Sequence, residues 1–109
     1  MKNGLLVDSD GTIRWYKEGD LHREDGPAVE FANGSKRWYK EGKLHREDGP
    51  AYESANGDKI WYKEGDLHRE DGPAVEFAND HKEWYYQGKH IECNNQQYFE
   101  KFIKLIAFW

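Results

Sequence analysis

The sequence predicts an all-β fold: a single-sheet meander, or solenoid, of stacked β-hairpins in about four 23-residue repeats, closed by a C-terminal capping α-helix. Three observations predict it. The run WYKEGDLHREDGPAVEFAN spans Trp15 to Asn33 and returns unchanged from Trp61 to Asn79, with a near copy from Trp38 to Asn56. Turn-forming residue pairs punctuate each copy twice. The last residues abandon the pattern and become apolar.

The period is carried by many positions at once. Trp15, Trp38, Trp61 and Trp84 keep the step, as do Gly19, Gly42, Gly65 and Gly88, then His22, His45 and His68, then Pro27, Pro50 and Pro73. A fixed period of this length marks units that each bury their apolar face on a neighbour. Leu5 to Arg14 matches Ala28 to Arg37, so the first unit begins as a half.

Each element follows from its turn. Asp10-Gly11, Asn33-Gly34 and Asn56-Gly57 are hairpin signals, because Asn, Asp and Gly tolerate positive φ. Asn79-Asp80 is a weaker version. Glu41-Gly42 and its equivalents mark a second reversal, and the prolines belong at strand starts or edges because they cannot donate to a ladder. A two-residue turn at Asn33-Gly34 predicts that Phe31 faces Lys36, Glu30 faces Arg37 and Val29 faces Trp38. Val29, Phe31 and Trp38 then share one face, and Glu30, Arg37 and Tyr39 the other. A second hairpin at Glu41-Gly42 sets His45 beside Trp38 and Leu44 beside Tyr39, so that each unit stacks its Trp on the next.

Residues 1–92 are thus assigned to the repeat sheet and 93–109 to the helix. Asn94 or Asn95 can cap that helix. Phe99, Phe102, Ile103 and Ile106 fall at helical spacing, and Trp109 lies at the end of the same apolar run. Such a helix serves as a lid on the last unit or as an interface between copies of the chain.

Composition narrows the function. Charged residues make up 34% of the chain and hydrophobic ones 37%, a balance that by itself points toward disorder. Aromatic residues reach 16%, which argues instead for an ordered, thin protein with a core built mainly from rings. The net charge of −5 disfavours nucleic acid and anionic membrane and leaves room for a basic partner. No apolar run is long enough for a membrane helix or secretion signal, and the single cysteine, Cys93, excludes an internal disulfide; a cytoplasmic setting is the expectation.

The run Tyr39-Lys40-Glu41-Gly42-Lys43-Leu44-His45, followed by Gly-Pro-Ala and an Asn-Gly close, resembles the MORN repeat in a variant form. The resemblance covers roughly residues 5–92. It implies β-hairpins stacked into an elongated single sheet. The unit departs from the common form at His45 to Pro50, HREDGP, so the membrane association of that form is not carried over. Similar variant units occur in bacteriophage, bacterial and large-virus proteins. The function that the resemblance implies is non-catalytic: a phage-type inhibitor that binds a host protein, a component of host defence.

Three side-chain groups invite a chemical reading. The quartets beginning at His22, His45 and His68 combine imidazole, guanidinium and two carboxylates. Acid–base catalysis needs groups in unlike environments, whereas a lattice supplies like ones, so Trp15, His22, Asp25, His45, Asp48, His68, Asp71 and Trp84 are assigned to the repeat framework, with no metal or cofactor. In the central unit Val29 and Phe31 give way to Tyr52 and Ser54. That exchange predicts an aromatic pocket lined by Trp38, Tyr52, Ser54 and Trp61, with Arg46 or Arg69 placed for a phosphate. The alternative function is therefore sequestration of a small nucleotide-like signal, and an enzyme acting through the His-Asp pairs stands third. Asp20, Lys43, Asp66 and Lys89 form a row of alternating charge.

Overall fold

The computed structural model describes residues 3–107; Trp109 lies outside the described residues. Strands are short and follow the turns. They are β1 (Gly4–Val7), β2 (Ile13–Lys17), β3 (Asp20–Leu21), β4 (Val29–Glu30), β5 (Lys36–Arg37), β6 (Tyr39–Lys40) and β7 (Lys43–Leu44). The next two units add β8 (Tyr52–Glu53), β9 (Lys59–Ile60), β10 (Tyr62–Lys63), β11 (Asp66–Leu67), β12 (Val75–Glu76), β13 (Lys82–Tyr86) and β14 (Lys89–Ile91). Helix α1 (Gln96–Ala107) closes the chain.

The main sheet runs in the order β1-β2-β4-β5-β8-β9-β12-β13-β14 and stays open, with β3 beside β2. Every strand pair is antiparallel. The hairpins β6–β7 and β10–β11 split off because the strand breaks at Trp38 and Trp61. There the backbone changes partners. Trp38 N–H donates to Ala51 O at 2.7 Å, while its carbonyl accepts from His45 N–H at 3.0 Å. The fold is thus the expected meander with a single terminal helix, and its extents are 47 × 32 × 18 Å.

The two reversals obey different rules. At Glu41-Gly42 both residues have positive φ, 51° and 81°, which is the primed two-residue turn that matches strand twist. Tyr39 pairs with Leu44 as expected, and His45 lies beside Trp38. At Asn33-Gly34 only the glycine has positive φ, 96°. Phe31 N–H donates to Ser35 O at 2.8 Å, and Gly34 N–H donates to Phe31 O at 3.0 Å. The loop therefore has three residues, a type I turn followed by a left-handed glycine. Asn33 does not need positive φ, because its side-chain oxygen accepts the Ser35 N–H at 2.9 Å.

That extra residue slips the register by one and corrects the expected faces. Val29 pairs with Arg37 and Glu30 with Lys36. A slip of one moves every side chain to the opposite face. One ladder reads Arg14, Val29, Arg37, Tyr52, Ile60, Val75, Glu83; the other reads Ile13, Glu30, Lys36, Glu53, Lys59, Glu76, Lys82. The second ladder alternates Glu with Lys from Glu30 onward, an arrangement in which each cross-strand pair is attractive.

The buried row is also not made of rings. Ala28, Ala51 and Ala74 are fully buried, with Val29 and Val75 beside them, while Trp15, Trp38 and Trp61 are half-buried. A single-layer sheet is too thin to enclose an indole on all sides. Among the described residues, indole and phenyl rings become buried where a second layer exists, at the C-terminal end. There Trp84, Ile91 and the fully enclosed Phe99 form a cluster with Tyr86, Cys93 and Ile103. Burial of Phe99 alone contributes on the order of 2–3 kcal/mol.

Asn95 is the helix cap, its side-chain oxygen accepting the Tyr98 N–H at 2.8 Å. The expected apolar face divides. Phe99 and Ile103 cover the last unit as a lid, whereas Phe102 and Ile106 stay partly exposed next to Tyr98 and Leu105.

Candidate functional site

Each HREDGP loop is built around two side chains with separate duties. The histidine reaches forward. Nδ1 of His22, His45 and His68 accepts the backbone N–H of Glu41, Glu64 and Gln87 at 2.9, 2.9 and 2.8 Å. Each acceptor therefore holds the left-handed turn residue of the next unit. An Nδ1 that accepts leaves the proton on Nε2, and the Nε2–H of His22 and His45 donates to Glu24 and Glu47 at 2.8 Å. Those hydrogen bonds hold the Glu24 and Glu47 carboxyls below the ordinary glutamate value. In the third copy Nε2 of His68 stands 3.7 Å from Glu70.

The arginine folds back on its own unit. Guanidinium carbons of Arg23, Arg46 and Arg69 lie 4.3, 3.9 and 3.8 Å from the ring centroids of Trp15, Trp38 and Trp61. Each indole thus stacks on a guanidinium and not on the next indole, which corrects the expected Trp-on-Trp column. The rim of the guanidinium is also engaged. Arg46 donates to Asp48 at 3.1 Å, to the Pro50 carbonyl at 3.1 Å and to Glu53 at 2.9 Å. Arg69 repeats the set with Asp71, Pro73 and Glu76, and this bond lowers the Asp71 carboxyl below its usual range. Stacking plus a planar fork is an arginine property that lysine cannot copy. Gly49 leaves room for the stacked guanidinium, since a Cβ there would lie 2.9 Å from the Arg46 guanidinium carbon and push it aside.

A second row of ties runs along the opposite edge. Ser35 Oγ accepts the Ala55 N–H at 2.9 Å, and Asp58 accepts the Ala78 N–H at 2.8 Å. Asp20 lies against Gly42 and Lys43 against Gly65, so the alternating-charge row is real and exposed.

Between successive loops the sheet opens into two grooves. One, of about 490 Å3, has Arg46, Gly49 and Pro50 on one side and Trp61, Tyr62 and Lys63 on the other. Its counterpart, of about 610 Å3, uses Arg23, Gly26 and Pro27 against Trp38, Tyr39 and Lys40. Four carboxylates and three cations line each, so each is slightly acidic. Trp38, Trp61, Arg46 and Arg69 are therefore brought to the grooves, together with the framework residues Asp25, Asp48, His45, His68 and Asp71.

Tyr52 and Ser54 are not among the lining residues. The register slip sets Tyr52 opposite Arg37 and Ile60, with the Arg37 guanidinium 5.2 Å from its ring. Ser54 Oγ instead serves its own hairpin loop, bonding Asn56 and accepting the Asp58 N–H at 3.1 Å. The pocket expected from Tyr52, Ser54, Trp38 and Trp61 is not assembled.

The third inter-loop position differs because the chain fills it. Trp84 has no arginine partner; Glu92 stands where the repeat places one. Its indole Nε1–H donates to the Gln96 side-chain oxygen at 2.8 Å, and the Gln96 amide donates to the Glu70 carbonyl at 3.0 Å. Sequence reasoning missed Gln96. The available signal was its position, one period after Pro73, where a proline-to-amide exchange replaces a closed edge with a donor and an acceptor.

Among the described residues no group of three or more potential ligands is placed to hold a metal ion, and no helix is long and apolar enough to cross a membrane. Comparison with known proteins finds no matching family model, no matching curated protein and no matching solved structure.

Proposed function

We propose that the chain is a non-catalytic binding scaffold that engages a partner protein across its repeat face. The observation that carries this reading is the pair of near-identical open grooves set one repeat apart, each with an aromatic wall and a charged rim. Repetition multiplies a weak contact, as linked sites raise avidity without any new chemistry. The imidazoles support the same reading. Both ring nitrogens of His22 and His45 are engaged in structural bonds, an arrangement suited to holding units together. Capture of a nucleotide draws less support, because the Arg46 and Arg69 guanidiniums already bind two carboxylates and a carbonyl each. The resemblance to phage-type MORN variants makes a host protein, of a defence system, the partner class.

The test is affinity purification from the cell in which the chain is naturally made, comparing the wild type with Lys40→Glu/Lys63→Glu. Those lysines line the grooves and are exposed, so charge reversal leaves the framework intact. A stoichiometric protein held by the wild type and lost by the variant supports the reading. A nucleotide released on heating, with no protein retained, refutes it.

A further inference from the structure

Gln96 shows what the grooves are built to hold. In the third inter-loop position a carboxamide bridges two fixed groups: the Trp84 indole N–H gives a proton to its oxygen, and its nitrogen gives one to the Glu70 carbonyl. The two open grooves are lined by residues from the same repeat positions. Trp61 and Glu47 line one, and Trp38 and Glu24 line the other, one and two periods before Trp84 and Glu70. Among the described residues Trp84 is the repeat tryptophan whose indole N–H meets an acceptor; Trp15 Nε1 is buried without one. A neutral amide also suits the walls. An anion would meet four carboxylates in each groove, and the Arg46 and Arg69 guanidiniums already bind two carboxylates each.

Spacing then selects the carrier. Two strands separate equivalent points in successive units, so the grooves stand about 9.5 Å apart along the sheet. A polyproline II chain advances about 9.3 Å in three residues and returns every third side chain to the same edge. A β-strand alternates faces every residue, so its third side chain points the other way. Proline rings between the amides would meet the aromatic walls, the usual way such helices dock.

We infer that the two open grooves recognise carboxamide side chains carried at every third residue of a polyproline II segment, with Trp38 and Trp61 donating to the amide oxygens and the Glu24 and Glu47 carbonyls accepting from the amide nitrogens. This rests on the reading of the repeat face as a binding surface and supplies the chemistry of its partner.

The experiment uses the full chain labelled with nitrogen-15 and a synthetic peptide of repeated Gln-Pro-Pro triplets. The indole N–H signals of Trp38 and Trp61 should shift together and saturate, while that of Trp84, already occupied, should stay. Repeated Glu-Pro-Pro, which keeps the shape but loses the amide donor, should bind about tenfold more weakly or worse. Repeated Gln-Pro-Pro-Pro, which moves the second amide out of step, should also weaken binding. In Gln96→Ala, the Trp84 signal should join the response, since the chain's own occupant is gone. Equal binding of the Gln and Glu peptides, or shifts that spare Trp38 and Trp61, overturns the inference. So does silence of all indoles toward the Gln peptide. If that silence accompanies a partner protein still lost by Lys40→Glu/Lys63→Glu, only the carboxamide assignment falls. If no partner protein is retained either, the binding reading falls with it.

Discussion

Replacing His45 with alanine removes one tie between two units and leaves both units' own hairpins untouched. The imidazole is 8% exposed, accepts the Glu64 N–H at 2.9 Å and donates to Glu47 at 2.8 Å. Loss of the acceptor returns an exposed N–H in a left-handed turn to water, at the net cost of one hydrogen bond, about 1 kcal/mol. Loss of the enclosed ring adds about 1–2 kcal/mol. The sum, about 2–3 kcal/mol, is a large share of the roughly 5–15 kcal/mol that a domain holds. Urea unfolding followed by tryptophan fluorescence measures it. The His45→Asn variant is the control, because an amide oxygen sits close to where Nδ1 accepts; it should recover about 1 kcal/mol over alanine. The alanine variant should also unfold with a shallower slope, since the two halves of a solenoid uncouple when their nearest-neighbour term is cut. Stability equal to the wild type in His45→Ala, or no gain in His45→Asn, refutes the tie.

Three further outcomes follow from the geometry. Glu24 and Glu47 have carboxyls lowered by the histidine hydrogen bond, so their contribution is complete above the ordinary glutamate value, about 4.3, and is lost as pH falls through the lowered values; carbon-13 titration should find them below the exposed glutamates, and ordinary values would refute the bond. Asp80 occupies the left-handed turn position, φ 73°, that Gly11, Gly34 and Gly57 fill elsewhere, so Asp80→Gly should raise stability by about 1 kcal/mol in the same urea assay, and a loss would contradict the strain. Gly49→Ala should drive the Arg46 guanidinium off Trp38, destabilise by about 1 kcal/mol through the lost cation–π contact and shift tryptophan emission to the red; an unchanged spectrum would refute the clearance argument.

Much of this architecture is legible in the letters. The period, the primed turn at Glu41-Gly42, the His45–Trp38 adjacency and the Asn95 cap follow from local rules that tertiary structure does not override. The register at Asn33-Gly34 does not. An Asn-Gly pair suits a primed two-residue turn and also the last two residues of a type I loop, and the difference of one residue exchanges the faces. The expected pocket failed for that reason alone: Tyr52 moved to the Arg37 ladder and Ser54 into its turn. The Arg–Trp stack was also hidden, although an arginine follows each of the first three repeat tryptophans by eight residues and a glycine follows it by three. Spacing of that kind reports a contact only once the loop's path is known. The position of Gln96, one period after Pro73, was visible, but its meaning depends on a groove that its own unit helps to form.

Among the described residues, the side-chain bonds between units join a residue to one in the adjoining copy, and none skips a copy. Duplication of a whole twenty-three-codon cassette in the gene therefore preserves the ties at both junctions, while a deletion that is not a whole number of cassettes puts the ties at the junction out of step. Length becomes a heritable integer: each added cassette brings one more tryptophan-walled groove and about 9.5 Å of sheet. The sheet can therefore be lengthened by counting, without redesigning a single contact.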